Sequence, residues 1–222
     1  LYPTPDGKSL IVGNAMSDDL VFFDPVTADI QRRIAAIDDP YQLGFSPDTR
    51  WFVTAALRLD RVDIYRYEGG DLKLAKRLSI PKAPSHIWFS ADSSTVFATL
   101  QDSNEIVAIS LQKLEPIWKL RTGKQPAGIV MTPDDKHLLV GVMGENFVDV
   151  IDWRAQKSVK RVITGRGAHN LRGLGDQRHV FVTNRVDNSV SCIDMRSFQV
   201  INSFPVPGGP DCMEITSDRK TM

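Results

Sequence analysis

The amino-acid sequence predicts an all-β protein built from repeated four-stranded antiparallel units, and three observations lead to this prediction. Turn-like aspartates recur at spacings of 42 or 44 residues along the whole chain. Each repeat contains four short apolar stretches of strand length, separated by turn residues. No stretch of about 10 to 15 residues shows a convincing apolar period of 3.6, so the pattern does not require helices.

The repeat is supported by three sets of landmarks that keep one register. The turn aspartates are Asp6, Asp48, Asp92, Asp134, Asp176 and Asp218. Eight residues before each of them, from the second onward, stand Pro40, Pro84, Pro126, Ala168 and Pro210. Twelve residues after each of the first five stand Asp18, Asp60, Asn104, Asn146 and Asn188. Three landmarks in one register indicate genuine internal repeats.

The fourth repeat illustrates the strands. Residues 127–131 are predicted as the first strand, and residues 132–136 contain Pro and Asp where a type I turn favours them. Residues 137–142, 148–152 and 158–163 are predicted as the other three strands, and the third strand recurs at residues 20–24 and 190–194. Four short strands in each period of about 42 residues are typical of a β-propeller, in which stacked blades bury their faces against one another.

The composition and the missing motifs argue against several classes of function. The 222 residues include 27 Lys plus Arg and 27 Asp plus Glu, with 42% hydrophobic and 24% charged residues, as in an ordinary soluble globular protein. A net charge of zero argues against nucleic-acid or anionic-membrane binding, and no apolar run approaches the roughly 18 residues of a membrane span. G-x-S-x-G, H-E-x-x-H, C-x-x-C and C-x-x-C-H motifs are absent, so no catalytic or metal-binding residue is predicted.

The fifth repeat carries a family resemblance. It contains Phe181-Val182-Thr183-Asn184, then Asn188-Ser189-Val190, then Ile193-Asp194, and Ser46-Pro47-Asp48 matches the turn of the same pattern. The chain thus resembles the YVTN-type bacterial β-propellers over its whole length. It is similar to the wider WD40/YVTN-like superfamily that includes haem-d1 nitrite reductases and amine dehydrogenase heavy chains. The resemblance implies a periplasmic or secreted protein.

The resemblance also shapes the expected domain organisation. Residues 1–222 are expected to form one β-propeller domain with repeats at about 1–39, 40–83, 84–125, 126–167 and 168–209, and a partial repeat at 210–222. A first strand is predicted near residues 212–215, and the first blade is expected to have only its second, third and fourth strands. Family members usually have seven blades, so the chain, with about five, is expected to be a fragment. A five-bladed ring closed by the last strand is the alternative.

The loops of a four-stranded meander alternate between two faces, which localises the candidate site. The Pro-Asp turns and the third-to-fourth turns share one face, here called the turn face, and are interpreted as structural. The loops entering the first strands and the second-to-third loops share the other, here called the variable face because its residues differ between repeats. Its ligand candidates are Lys124, Arg166, His169, Asn170, Arg185 and Asp211.

The candidates each have a structural alternative. His86 and His169 could bind haem or a metal, act as acid–base groups, or simply line the channel. Asp211 could be a ligand or a turn cap. Cys192 and Cys212 are expected to be buried free thiols, although a disulfide between them stays open.

Two function classes follow, and enzymatic activity stays undecided with a preference against it. The first is a non-enzymatic binding or scaffold propeller that presents the variable face to a protein or small ligand and holds no cofactor. The second is a redox-linked propeller in which His86 or His169 is an axial haem ligand. A calcium-dependent, lactonase-like hydrolase ranks lowest, because first-strand positions supply only Asp211 as a carboxylate.

Overall fold

The computed structural model describes residues 1–222 and contains five four-stranded antiparallel sheets. Each sheet is built from four consecutive strands in chain order, so every connection within it joins adjacent antiparallel strands. A 3₁₀ turn at Leu57–Leu59 is the one helical segment. The predicted all-β fold of repeated four-stranded units is therefore confirmed, and no helix has the length and apolar character of a membrane span.

The strand bounds are as follows. The first sheet has β1 (Tyr2–Pro3), β2 (Leu10–Asn14), β3 (Asp19–Phe23) and β4 (Ile30–Ala35). The second has β5 (Gln42–Phe45), β6 (Trp51–Ala56), β7 (Arg61–Glu68) and β8 (Asp71–Ser79). The third has β9 (Pro84–Phe89), β10 (Thr95–Leu100), β11 (Glu105–Ser110) and β12 (Glu115–Arg121). The fourth has β13 (Pro126–Met131), β14 (His137–Val142), β15 (Phe147–Asp152) and β16 (Lys157–Ile163). The fifth has β17 (Ala168–Gly173), β18 (His179–Asn184), β19 (Ser189–Asp194) and β20 (Gln199–Pro205).

The strands of the fourth repeat agree with the prediction to within one residue, but two predictions at the chain ends were wrong. The first sheet has four strands rather than three, because Tyr2 and Pro3 pair with Ile11 and Leu10. Residues 212–215 do not form a strand. A strand requires a partner for its backbone hydrogen bonds, and no segment of this chain pairs with these residues.

The chain contains two compact units. The first comprises Leu1–Ala98 and Ala108–Trp118, and the second comprises Thr99–Val107 and Lys119–Met222. In the first unit a core cluster joins the first two sheets, where the Phe45 ring lies 4.9 Å from that of Phe52. In the second unit an aliphatic cluster joins the fourth and fifth sheets through residues such as Leu139, Val150 and Val182. Single sheets have two faces to bury, and packing against a neighbour removes this apolar surface from water.

The Pro-Asp turns are held by local hydrogen bonds that repeat along the chain. In the fourth repeat the Thr132 hydroxyl donates to Asp134 at 2.7 Å, and the Lys136 backbone N–H donates to the same carboxylate oxygen at 3.2 Å. Ser46 and Asp48, Ser90 and Asp92, and Thr216 and Asp218 form the equivalent hydroxyl–carboxylate bond. These carboxylates have a structural role, as the sequence suggested.

A second repeated bond fastens the second-to-third loop to the chain 21 to 23 residues away in four of the five repeats. Asn104 Oδ1 accepts the backbone N–H of Gln125 at 3.0 Å, and Asn188 Oδ1 accepts that of Gly209 at 2.7 Å. Asp18 accepts the N–H of Asp39 at 2.8 Å in the same way. We call this bond the loop staple; it explains why Asp or Asn recurs at this repeat position.

Candidate functional site

The variable face of the second unit has a groove of about 420 Å³ between two second-to-third loops. The groove is lined by Met143, Gly144, Glu145, Asn146, Arg166, Gly167 and Val186. Its lining mixes an exposed apolar side chain, Val186, with charged groups of both signs. A cavity of this size lies near the lower end of the range of small-ligand pockets.

Glycines and backbone hydrogen bonds build the floor of the groove. The Gly167 N–H donates to the Glu145 carbonyl at 2.8 Å, and the Arg185 N–H donates to the Gly167 carbonyl at 3.0 Å. Gly167 has φ +79, and a Cβ on it would lie 2.8 Å from the backbone nitrogen of Val186. Since only glycine tolerates both the left-handed backbone and the close approach, the two loops can meet in this way only with glycine at position 167.

Arg166, a predicted ligand candidate, is already bound to another residue of the chain. Its backbone N–H and its Nε each lie 2.7 Å from an oxygen of Asp187, so one carboxylate holds both groups. The backbone and guanidinium of Arg166 lower the pKa of the Asp187 carboxyl, which is ionised at neutral pH. This contact is a variant of the loop staple.

Arg185 lies beside the groove, next to its lining residues Met143 and Val186, and keeps donors available. Its Nη1 is 3.6 Å from the Met143 sulfur, a weak acceptor, and its Nε is 3.7 Å from Asp211 Oδ1. The side chain is 42% exposed, and none of its nitrogens donates a hydrogen bond to an oxygen of the chain. An arginine in this state can still bind a carboxylate through its planar fork.

His169 and Asp211 lie together beside Arg185. The His169 Nδ1 is 2.7 Å from Asp211 Oδ1, and the Thr183 hydroxyl donates to the Asp211 carbonyl at 2.9 Å. Burial lowers the pKa of His169, although the Asp211 carboxylate opposes this effect and the Arg185 guanidinium adds to it. The imidazole is therefore neutral at neutral pH, and the pair anchors residues 210–212 to the fifth sheet.

The second unit has another cleft, of about 460 Å³, on the turn face. It is lined by Thr132, Pro133, Asp134, His137, Gln177, Met195, Arg196 and Phe198. Asp134 is occupied by the turn hydrogen bonds described above. The groove on the variable face is taken as the candidate because its residues differ between repeats, whereas the turn that borders this cleft recurs along the chain.

The whole chain, residues 1–222, matches the model of the family described as YNCE-like beta-propeller. The chain belongs to this family. The predicted resemblance to YVTN-type propellers is confirmed. No curated protein matches this YNCE-like propeller in sequence.

Solved structures similar to this YNCE-like propeller share its fold. Hydrazine synthase of Kuenenia stuttgartiensis matches with a TM-score of 0.74 and 20% identity over 82% of this chain and 54% of that one. A functionally unknown protein from Desulfotomaculum acetoxidans DSM 771 matches with a TM-score of 0.82 and 15% identity over 94% of this chain and 69% of that one. The chain thus spans about half of the hydrazine synthase chain, and at these identities the likeness concerns the fold alone.

The two histidines considered as haem ligands are almost fully buried in this YNCE-like propeller. His86 is 6% exposed and His169 is 4% exposed. The His86 Nδ1 lies 3.2 Å from the Ser85 hydroxyl, and its ring packs edge-on against Tyr41 at 6.0 Å. A haem ligand needs an imidazole on the wall of a large cavity, but neither histidine lines either cleft described above. Neither of these two clefts therefore presents a histidine as a haem ligand.

The remaining predicted residues have mainly structural surroundings. The Asn170 backbone N–H donates to the Thr183 hydroxyl at 2.9 Å. Lys124 is exposed, and its backbone N–H donates to Glu145 Oε1 at 2.9 Å. Cys192 is a buried free thiol as expected, whereas Cys212 is also free but exposed, which corrects the expectation of burial. Without a pairing strand, residues 212–215 leave Cys212 at the surface.

Sequence reasoning missed Glu145, Met143 and Val186 as groove residues. Glu145 directly precedes the landmark Asn146, and Val186 directly follows the predicted Arg185. Their repeat positions, 42 residues apart for Met143 and Arg185, were a usable signal, because equal register places side chains on corresponding loops.

Proposed function

We propose that this YNCE-like propeller is a non-enzymatic binding module that presents the variable face of its second unit to a protein segment or a small molecule. One observation carries the proposal: Arg185 lies beside a glycine-floored groove, in contact with its lining residue Met143, and the side-chain nitrogens of Arg185 donate no hydrogen bond to an oxygen of the chain. By contrast, the repeated carboxylates of the turn face are occupied by local bonds. Groups that the fold does not need are the groups a ligand can use.

The test is a binding panel of immobilised nine-residue peptides, amino acids, sugars and small carboxylic acids, measured on wild type, Arg185→Gln and Arg196→Gln. Arg196 is exposed and lines the turn-face cleft, so Arg196→Gln removes one positive charge from the face that the proposal does not involve. The proposal expects at least one probe with a Kd below about 1 mM, weakened by Arg185→Gln and unaffected by Arg196→Gln. A panel with no binder, or equal losses in both variants, would contradict it.

We also propose, from the family resemblance, a bacterial protein located in the periplasm or secreted. Fractionation of cells that produce the complete protein, with immunodetection, tests this location, and recovery from the cytoplasm alone would contradict it. The redox alternative stays a prediction, and the visible absorption spectrum of the purified protein tests it. A haem band that disappears in His169→Ala would replace the binding proposal with the redox one.

A further inference from the structure

The fourth repeat shows how an arginine of the turn face is bound when its partners come from the chain. Arg154 Nη2 lies 2.8 Å from Asp135 Oδ2, and the guanidinium stacks over the Trp153 ring at 4.1 Å. The Trp153 Nε1 donates to the Asp135 carbonyl at 2.9 Å, so the ring beneath the guanidinium is itself fixed. This arginine therefore has both a carboxylate and an aromatic platform.

The fifth repeat keeps the arginine, as Arg196, but replaces both of its partners. Gln177 stands at the position of the aspartate and Met195 at that of the tryptophan, each 42 residues later. An amide carries no charge to neutralise a guanidinium, and a thioether is not an aromatic platform. The Arg196 backbone N–H donates to Asp194 at 2.8 Å, but its exposed side chain makes no hydrogen bond or ion pair within the chain. The donors that hold Asp135 in one repeat are thus unused in the next.

A histidine of the same cleft differs from its repeat counterpart in the same direction. The His179 Nδ1 lies 2.5 Å from Asp176 Oδ2. His137 stands 42 residues earlier, and its ring instead packs edge-on against Phe198 with the centroids 5.2 Å apart. The His137 ring nitrogens make no hydrogen bond within the chain, and an imidazole carries at least one N–H. This N–H can therefore serve a ligand.

Arg196 and His137 both line the turn-face cleft of about 460 Å³ described above. Pro133, Met195 and Phe198 contribute apolar surface to the same lining. The volume corresponds to roughly fifteen water molecules at about 30 Å³ each, which admits a small organic acid with some retained water. The cleft thus combines two unused donors with an apolar wall.

One carboxylate of the chain, Asp134, also lines the cleft. Its Oδ1 accepts the Thr132 hydroxyl and the Lys136 backbone N–H, and its Oδ2 lies 3.6 Å from Lys136 Nζ. Asp134 is thus paired with Lys136 and leaves Arg196 unneutralised. Its negative charge opposes a ligand with several negative charges, so the lining favours a monoanion.

We propose that this cleft binds an organic monocarboxylate with an apolar body. The carboxylate binds Arg196 as Asp135 binds Arg154, the His137 N–H donates to the ligand, and the apolar body packs on Phe198. A free organic acid and the C-terminus of a peptide share this chemistry. The site lies on the turn face and is independent of the groove of the proposed function.

The experiment uses phenylacetate as the probe and phenylacetamide as its neutral counterpart, measured by isothermal titration calorimetry. Phenylacetate should bind with a Kd below about 1 mM, and phenylacetamide should bind more weakly. Arg196→Gln should weaken phenylacetate binding about 10- to 100-fold, because a charge-assisted pair is lost. His137→Phe keeps a ring against Phe198 and removes the N–H, so it should weaken binding about 2- to 10-fold.

Gln177→Asp tests the comparison between the repeats directly. Gln177 and Asp135 both have a left-handed backbone, with φ 58 and φ 56, so the substitution places a carboxylate in a matched conformation. It should weaken phenylacetate binding, because the new carboxylate competes for Arg196. Unchanged or tighter binding in Gln177→Asp would overturn the proposal.

Arg154→Gln is the matched control, since this arginine already has its carboxylate, and unchanged thermal unfolding of the cleft variants excludes a folding defect. An equal loss in Arg154→Gln and Arg196→Gln, equal affinity for phenylacetate and phenylacetamide, or no binding at all would overturn the inference. If Arg185→Gln rather than Arg196→Gln weakens phenylacetate, the inference fails and the proposed function stands. A hexapeptide that ends in phenylalanine, with a free or an amidated C-terminus, distinguishes the two sources: tighter binding of the free-carboxylate peptide than of phenylacetate identifies a peptide, and the reverse order identifies a free acid.

Discussion

Two buried aspartates at one repeat position have opposite surroundings. Val21, Asp63, Val107 and Asp149 are spaced by 42, 44 and 42 residues, and all four are buried in third strands. The Asp63 carboxylate receives Arg77 Nη2 at 3.0 Å and lies 3.1 Å from Arg61 Nη2. The Asp149 carboxylate accepts one hydrogen bond, from the Ser158 hydroxyl, and its Oδ2 has no partner. The same substitution at the two positions can therefore be compared directly, and each aspartate serves as the control for the other.

We expect replacement by valine, the residue of the first and third repeats, to have opposite effects at the two positions. Asp63→Val should lower the free energy of unfolding by about 1–3 kcal/mol, because the mostly buried Arg61 and the half-exposed Arg77 each lose one of two carboxylate partners and keep only Asp38. Asp149→Val should raise it by about 1–3 kcal/mol, because an unsatisfied buried oxygen is removed. Ser158 is exposed and can bond to water instead.

Urea unfolding at 25 °C and pH 7, followed by circular dichroism, measures both changes. Burial raises the pKa of Asp149, so the folded state holds this proton more tightly than the unfolded state. The stability that Asp149 contributes in its neutral form is present below the ordinary carboxyl pKa and is lost as the pH rises through the folded pKa. The advantage of Asp149→Val should thus grow with pH. Equal losses from both substitutions would refute the reasoning.

Three further predictions concern packing, acid stability and the loop staple. Gly128→Ala places a Cβ 2.4 Å from a backbone oxygen and should cost about 1–3 kcal/mol in urea unfolding, whereas Gly173→Ala, with no atom within 4 Å, should cost far less. The side chain of Arg178, aided by backbone N–H groups, lowers the pKa of Asp194 to about 2. The stability that the ionised Asp194 contributes should be lost as the pH falls from about 4 to 2. In Asp194→Asn the melting temperature should therefore depend less on pH over that range than in the wild type. The same pH dependence in both proteins would contradict this prediction. The Asn188 side chain accepts the Gly209 backbone N–H at 2.7 Å. Asn188→Ala removes this acceptor, so the Gly209 amide proton should exchange with deuterium faster than in the wild type. Equal exchange rates in the two proteins would contradict the loop staple.

The sequence predicted the repeat, the fourth-repeat strands to within one residue and the two kinds of loop, because apolar alternation and turn chemistry are local signals. The pairing of Arg166 with Asp187 could not be predicted, since it depends on how residues 21 positions apart meet. The burial of His169 depends likewise on packing around its strand. Interactions across loops follow from tertiary geometry, which the repeat pattern does not specify.

The Thr132–Asp134 turn bonds have a consequence for how the chain folds. They link residues no more than five positions apart, so each turn can form before any sheet meets its neighbour. Closing such short loops takes well under a microsecond, and hairpins form in about 1–10 μs. The chain thus carries a series of local nucleation sites, one at each turn where Ser or Thr stands two residues before the aspartate. If Thr132→Ala slows folding without speeding unfolding, the turn is already formed in the transition state; faster unfolding alone would place its formation later.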